Sequence, residues 1–131
     1  MKKTGIFNAQ IASAVSSMGH KDKLAIVDMG YPIPDGVNKC DLVVDRSSPG
    51  FFVVVNMVLK ELAVEKVIVT DEMRDENTDY YQEIKELLRE AEVELISHEQ
   101  FKETARESKI FIRSGEDTPY SNIILVSGVI F

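Results

Sequence analysis

Four apolar runs in this chain each end in residues able to bind a polar ligand or move a proton. Leu24-Ala25-Ile26-Val27 runs into Asp28, and Lys66-Val67-Ile68-Val69 into Thr70-Asp71-Glu72. Val93-Glu94-Leu95-Ile96 runs into Ser97-His98, and Ile110-Phe111-Ile112 into Arg113. In an open α/β sheet the carboxyl ends of parallel strands share one edge, and ligands bind in the crevice outside it. The pattern therefore predicts carboxylates, an imidazole and a guanidinium around one crevice, suited to proton transfer on a polar small molecule. Asp28 follows a buried run directly, so its carboxylate is partly desolvated and must find hydrogen-bond partners. Capping a turn through Gly30 would satisfy it equally well. His98 ends a strand and opens a helix, facing either the crevice or solvent. Tyr120-Ser121-Asn122 offers a phenol, a hydroxyl and an amide, a set that suits a hydroxyl-rich ligand and also an ordinary loop. His20 follows Gly19 at a helix end. Imidazole is the side chain suited to acid–base work near neutral pH, but position alone fits a partner for the helix dipole or a surface histidine.

The other polar groups read more plainly. Asp71, Glu72, Arg74, Asp75 and Glu76 form a charged loop, and Arg113 with Glu116 reads as an internal ion pair or an anion contact. Cys40 lies in an apolar stretch with no histidine near it, which fits a buried thiol. Two histidines and one cysteine give no metal-ligand spacing. No glycine-rich phosphate loop and no nucleophile elbow occurs. Neither a cofactor nor a metal is expected.

The elements that must position these groups alternate in type. Helical spacing covers Phe7 to Met18, with Asn8 as cap and Gly19 as a left-handed terminator. It recurs from Phe51 to Leu62, from Asn77 or Thr78 through Glu92, and from Ser97 to Ser108, where Ser97 and Gln100 match a capping box. Strands are expected at Leu24–Val27, Val37–Val44, Glu65–Val69, Val93–Ile96, Lys109–Ile112 and Asn122–Val126, the last continuing through a bend at Gly128 to Phe131. Gly30-Tyr31-Pro32-Ile33-Pro34-Asp35-Gly36 is a rigid loop. Strand–helix repetition predicts an α/β protein of one domain over residues 1–131, with a mostly parallel central sheet and helices on both faces. At 131 residues the chain can bury a sizeable core. Its net charge of −7 and lack of any basic run argue against nucleic-acid or anionic-membrane partners. A single cysteine excludes an intrachain disulfide and fits a cytoplasmic location. Polar Asn8, Gln10 and Ser13 interrupt the N-terminal apolar run, which favours an amphipathic helix over a signal peptide.

With these residues in view, the chain resembles the D-ribose pyranase family, relatives of the fucose mutarotases. The matching stretches include Gly5-Ile6-Phe7-Asn8, Met18-Gly19-His20-Lys21-Asp22 and Asp28-Met29-Gly30-Tyr31-Pro32-Ile33-Pro34-Asp35-Gly36. Ser97-His98-Glu99-Gln100-Phe101-Lys102, Ile112 through Leu125, and Gly128-Val129-Ile130-Phe131 follow in order. The Asp-x-Gly-x-Pro-x-Pro form at Asp28–Pro34 looks like the ribose branch. The resemblance implies cofactor-free interconversion of pyranose and furanose ribose. His20 carries over as proton donor, and Asp28, His98, Tyr120 and Asn122, with the backbone at Ser121, as sugar-binding residues. It also implies a homo-oligomer of five-subunit rings, commonly stacked in pairs as a decamer. A mutarotase of another aldose such as fucose, or a non-catalytic sugar-binding protein, are the alternatives. The apolar stretch Ile123–Phe131 independently expects cover from a neighbouring subunit or from the chain's own core. In the first case Tyr120 and Asn122 would reach a neighbour's His20 and Asp28.

Overall fold

Strand β1 (Lys23–Val27) dictates the layering. Its last four residues are apolar and fully buried in the computed structural model, which describes residues 1–131. Successive side chains on a strand point to opposite faces. Leu24 and Ile26 accordingly enter one core, and Ala25 and Val27 another. A strand apolar at every position needs cover on both sides.

The remaining strands are β2 (Lys39–Asp41), β3 (Val64–Thr70), β4 (Glu92–Ile96), β5 (Phe111–Arg113) and β6 (Ile123–Ser127). They form one six-stranded sheet in the order β2-β5-β1-β6-β3-β4. The pairs β2–β5, β5–β1 and β3–β4 are parallel, and β6 runs antiparallel to both its neighbours, β1 and β3. The sheet is thus mostly parallel, as expected, with one reversed strand at its centre. Five strands end on the same edge, and β6 begins there.

The larger core lies under α1 (Ala9–Ser17), α2 (Phe51–Leu59), α3 (Asp71–Glu76) and α4 (Thr78–Leu87). The smaller one is closed by a single helix, α5 (His98–Ala105), through Phe101 and Ala105, together with Tyr31 from the loop after β1. The cap expectations at Asn8 and Ser97 hold, whereas the Asn77 side chain makes no cap hydrogen bond. Asn8 Oδ1 accepts from the Ile11 amide at 3.0 Å, and Ser97 and Gln100 close a reciprocal capping box at the start of α5.

Several boundaries differ from the sequence reading. Gly19 is not the left-handed residue: α1 ends at Met18 in extended backbone, the Gly19 amide donates to Asp22 Oδ2 at 2.8 Å, and Lys21 takes the positive φ of 73°. The expected strand Val37–Val44 shrinks to Lys39–Asp41, because Asp41 Oδ1 accepts from the Val43 amide and turns the chain away. The charged loop at Asp71–Glu76 is helix α3. Thr70 Oγ1 accepts from the Met73 amide at 3.0 Å, and Asp71 and Glu72 favour a helix N-terminus. Helix α4 stops at Leu87, since Glu92 is already paired with Lys66 in the sheet. The final strand ends at Ser127, and Val129, Ile130 and Phe131 are exposed rather than paired.

Phe101, fully buried, anchors α5, the one helix on its face of the sheet. Phe101→Ala is expected to lower unfolding free energy by about 3–5 kcal/mol in urea titrations.

Candidate functional site

The crevice is built where β6 enters the sheet. The register that pairs Ile26 with Ile123 brings Asn122 beside Asp28. The Asp28 amide donates to Asn122 Oδ1 at 2.8 Å, and Asn122 Nδ2 donates back to Asp28 Oδ2 at 3.1 Å. Asp28 Oδ1 accepts from the Gly30 amide at 3.0 Å, so turn capping and crevice lining coexist in one carboxylate. Burial pushes the Asp28 pKa above its usual value; the hydrogen bonds from Asn122 and Gly30 and the nearby His98 offset only part of that.

His98 opens α5 across the crevice. Its amide donates to Glu72 Oε2 at 3.0 Å, while its ring Nδ1 is buried with no hydrogen-bond partner. The ring packs edge-on against Tyr120, with centroids 5.6 Å apart, and against Tyr31 at 6.4 Å. Tyr120 holds a φ of +62°, the left-handed region. For a bulky residue this is a true outlier and costs roughly 1–2 kcal/mol. The Glu76 carboxylate raises its phenol pKa. Together Asp28, Gly30, Tyr31, Pro32, His98, Pro119, Tyr120 and Asn122 line a hollow of about 190 Å³. A larger surface hollow of about 510 Å³ lies between β4 and α5, among Glu94, Ile96, Glu99 and Glu103. Gln100 and Thr104 complete its lining, and it contains no imidazole or phenol, whereas the smaller crevice gathers a carboxylate, an imidazole, two phenols and an amide.

The expected residues divide into two groups. Asp28 and His98 meet as their strand-end positions predict, and Tyr120 and Asn122 join them from the loop before β6. Ser121 is buried and contributes no free hydroxyl: its Oγ donates to the Thr118 carbonyl at 2.9 Å and accepts from Asn77. Arg113 turns away to pair with Asp41 on β2, and Asp71 pairs with Arg74 at 3.5 Å. Glu72 enters only as the acceptor behind His98. Asn122 reaches its own chain's Asp28, not a neighbour's, because the β1–β6 ladder fixes the two side by side.

His20 lies before β1 and Asp28 after it, so the five-residue strand separates them by roughly 15–20 Å. His20 is exposed, and its Nε2 sits 2.8 Å from Glu65 Oε2. It borders a separate apolar groove with Met18, Leu62, Val129 and Ile130. Sequence reasoning missed Tyr31, which is 5% exposed and forms the crevice floor against Phe101 and Phe111. Burial pushes its phenol pKa up to about 12. An aromatic residue between Gly30 and Pro32, three positions after the strand-end carboxylate, was the available signal.

The family model described as the RbsD / FucU transport protein family matches residues 1–130. The chain belongs to that family. It is 57% identical to the D-ribose pyranase of Petrotoga mobilis over 131 residues, covering 100% of each. It superposes on Bacillus subtilis RbsD complexed with D-ribose with a TM-score of 0.96, at 43% identity and 100% coverage of both chains. A Streptococcus pneumoniae fucose mutarotase in complex with L-fucose is more distant: TM-score 0.71, 21% identity, 95% of this chain and 94% of that one. That likeness shows the fold alone.

Within an RbsD / FucU chain of this geometry, the raised Asp28 pKa has a sign that can be measured. The proton is held more tightly folded than unfolded, so ionised Asp28 subtracts stability; the deficit is absent well below the usual 3.8 and develops as pH rises through the folded value. Ligand affinity that depends on ionised Asp28 moves the opposite way. Ribose titrations by calorimetry between about pH 4 and 7 are expected to weaken on acidification, with a midpoint above 3.8. In Asp28→Asn that limb is expected to flatten.

Proposed function

We propose that this protein is a D-ribose pyranase, an isomerase that interconverts the pyranose and furanose forms of ribose. The observation that carries the reading is the full-length likeness to a chain complexed with D-ribose, joined to a small crevice whose polar groups converge. Asp28, His98, Tyr120 and Asn122 bind the sugar. The unpartnered His98 Nδ1 and the Asp28 carboxylate meet hydroxyls, while the buried ring of Tyr31 and the half-buried ring of Tyr120 face apolar C–H surface.

Ring opening needs an acid at the ring oxygen and a base at the anomeric hydroxyl. The acid's proton goes to the ring oxygen as the C1–O5 bond breaks, and the base takes the O1 proton as the aldehyde forms. After rotation the C4 hydroxyl adds to C1 and gives its proton to the group that acted as acid, while the base returns its proton to the aldehyde oxygen, so both groups end as they began. Asp28, held partly desolvated, is the carboxylate that lines the hollow and serves as the base. The acid is His20, and His20 stands at the opposite sheet edge in the same chain. The reading therefore requires a homo-oligomer in which His20 of one subunit completes the crevice of the next. Supporting it, the groove beside His20 runs against Ile130, 91% exposed, and Phe131, fully exposed, an apolar end with no cover in its own chain. Five-membered rings, stacked in pairs, remain the assembly the resemblance implies.

Ribose ring-form exchange, followed by saturation-transfer NMR with and without the protein, tests the activity directly; no acceleration refutes it. His20→Ala is expected to slow exchange by about 10²–10⁴-fold without loss of folding. Mixing His20→Ala with Asn122→Ala subunits is expected to recover about a quarter of the native activity, since a heterologous interface draws each site from two chains. A fully active monomer in sedimentation would refute the shared site.

A further inference from the structure

The sequence reads Asn77 as a helix cap, yet its side chain makes no cap hydrogen bond. It is instead buried, 8% exposed, and turned toward the crevice loop. Nδ2 donates to the Pro119 carbonyl and to Ser121 Oγ, both at 3.2 Å. The Pro119 carbonyl can only accept, which fixes the NH2 side of the amide toward the loop. Ser121 Oγ has its own proton committed to the Thr118 carbonyl at 2.9 Å, so it accepts from Asn77. One amide nitrogen therefore grips the residues immediately before and after Tyr120.

Tyr120 is the residue whose backbone is in the left-handed region. Such a conformation in a non-glycine residue persists only where its surroundings over-determine it. A second hold comes from Glu116, itself 7% exposed. Its Oε2 accepts from the Thr118 hydroxyl at 2.9 Å and the Thr118 amide at 3.3 Å. Its Oε1 accepts from the Phe51 amide at 3.1 Å and the Tyr80 hydroxyl at 3.2 Å. The Glu116 carbonyl also accepts from the Met29 amide at 2.9 Å, next to Asp28. Glu116 fixes where the loop starts, and Asn77 brackets the strained residue.

We propose that Asn77 is a positioning residue: its amide holds Tyr120 in left-handed backbone so that the ring stands against His98 over the crevice. The inference rests on the reading of that crevice as the sugar site. Without the bracket, Tyr120 relaxes to negative φ and its ring leaves His98. Asn77→Asp is the sharpest probe. It keeps the shape of the side chain but turns an oxygen toward the Pro119 carbonyl, replacing attraction with repulsion.

The experiment has two arms. Crystal structures of the native protein and Asn77→Asp are expected to differ at Tyr120: in the variant φ is negative and the ring stands away from His98, while Tyr31 still packs on Phe101. An unchanged Tyr120 backbone in both Asn77→Asp and Asn77→Ala overturns the proposal, whatever the ligand. Ribose calorimetry is then run on native protein, Asn77→Asp, Tyr120→Gly and the double variant. Asn77→Asp is expected to weaken binding about tenfold in the native background, a loss of about 1.4 kcal/mol, and less than about twofold in Tyr120→Gly, where glycine adopts positive φ unaided. Equal losses in both backgrounds mean that Asn77 acts through the fold at large, which overturns the proposal. Native protein that binds no ribose refutes the sugar-site reading instead, and leaves the crystallographic arm to judge the clamp.

Discussion

The crevice hangs on one reciprocal pairing, the two hydrogen bonds between Asp28 and Asn122. They join the end of β1 to the beginning of β6, two points 94 residues apart in the chain. The pairing exists because β6 runs against its neighbours. A parallel strand inserted between β1 and β3 would present its C-terminal residues at this edge, and the loop carrying Pro119 to Asn122 would emerge on the other. Reversal delivers an amide where a carboxylate ends, with Asn122 buried and Asp28 half-buried at the lip of the crevice.

Strand ends are legible in the sequence where local pattern and topology agree. Asp28 follows β1 inside the sheet and His98 follows the outermost strand β4, and both strands run the same way, so their position at the carboxyl ends follows from strand direction alone. The capping box at Ser97 and Gln100 fixed the start of α5 and hence the side on which His98 emerges. Arg113 obeyed the same rule, but β5 lies next to the short edge strand β2, and Asp41 there captured the guanidinium. No pattern within either segment reveals that neighbour.

The failures share a cause: a polar side chain has several possible partners, and the sequence does not choose among them. Thr70 looked like the end of a strand and served also as the cap that turned a charged loop into α3. Asn77 looked like a cap and was spent on the Tyr120 loop. Tyr31 lay in a stretch read only for its prolines and glycines, so its role as crevice floor was hidden by the rigidity around it. His20 was singled out by resemblance, whereas its separation from Asp28 by the length of β1 became visible only in the fold.

The left-handed backbone of Tyr120 bears on how this protein would respond to selection for heat resistance. Glycine or asparagine at that position relieves the strain, so variants chosen only for survival at high temperature would accumulate there. Each would remove the ring that stands against His98. Robustness and the contact between Tyr120 and His98 thus compete at a single codon.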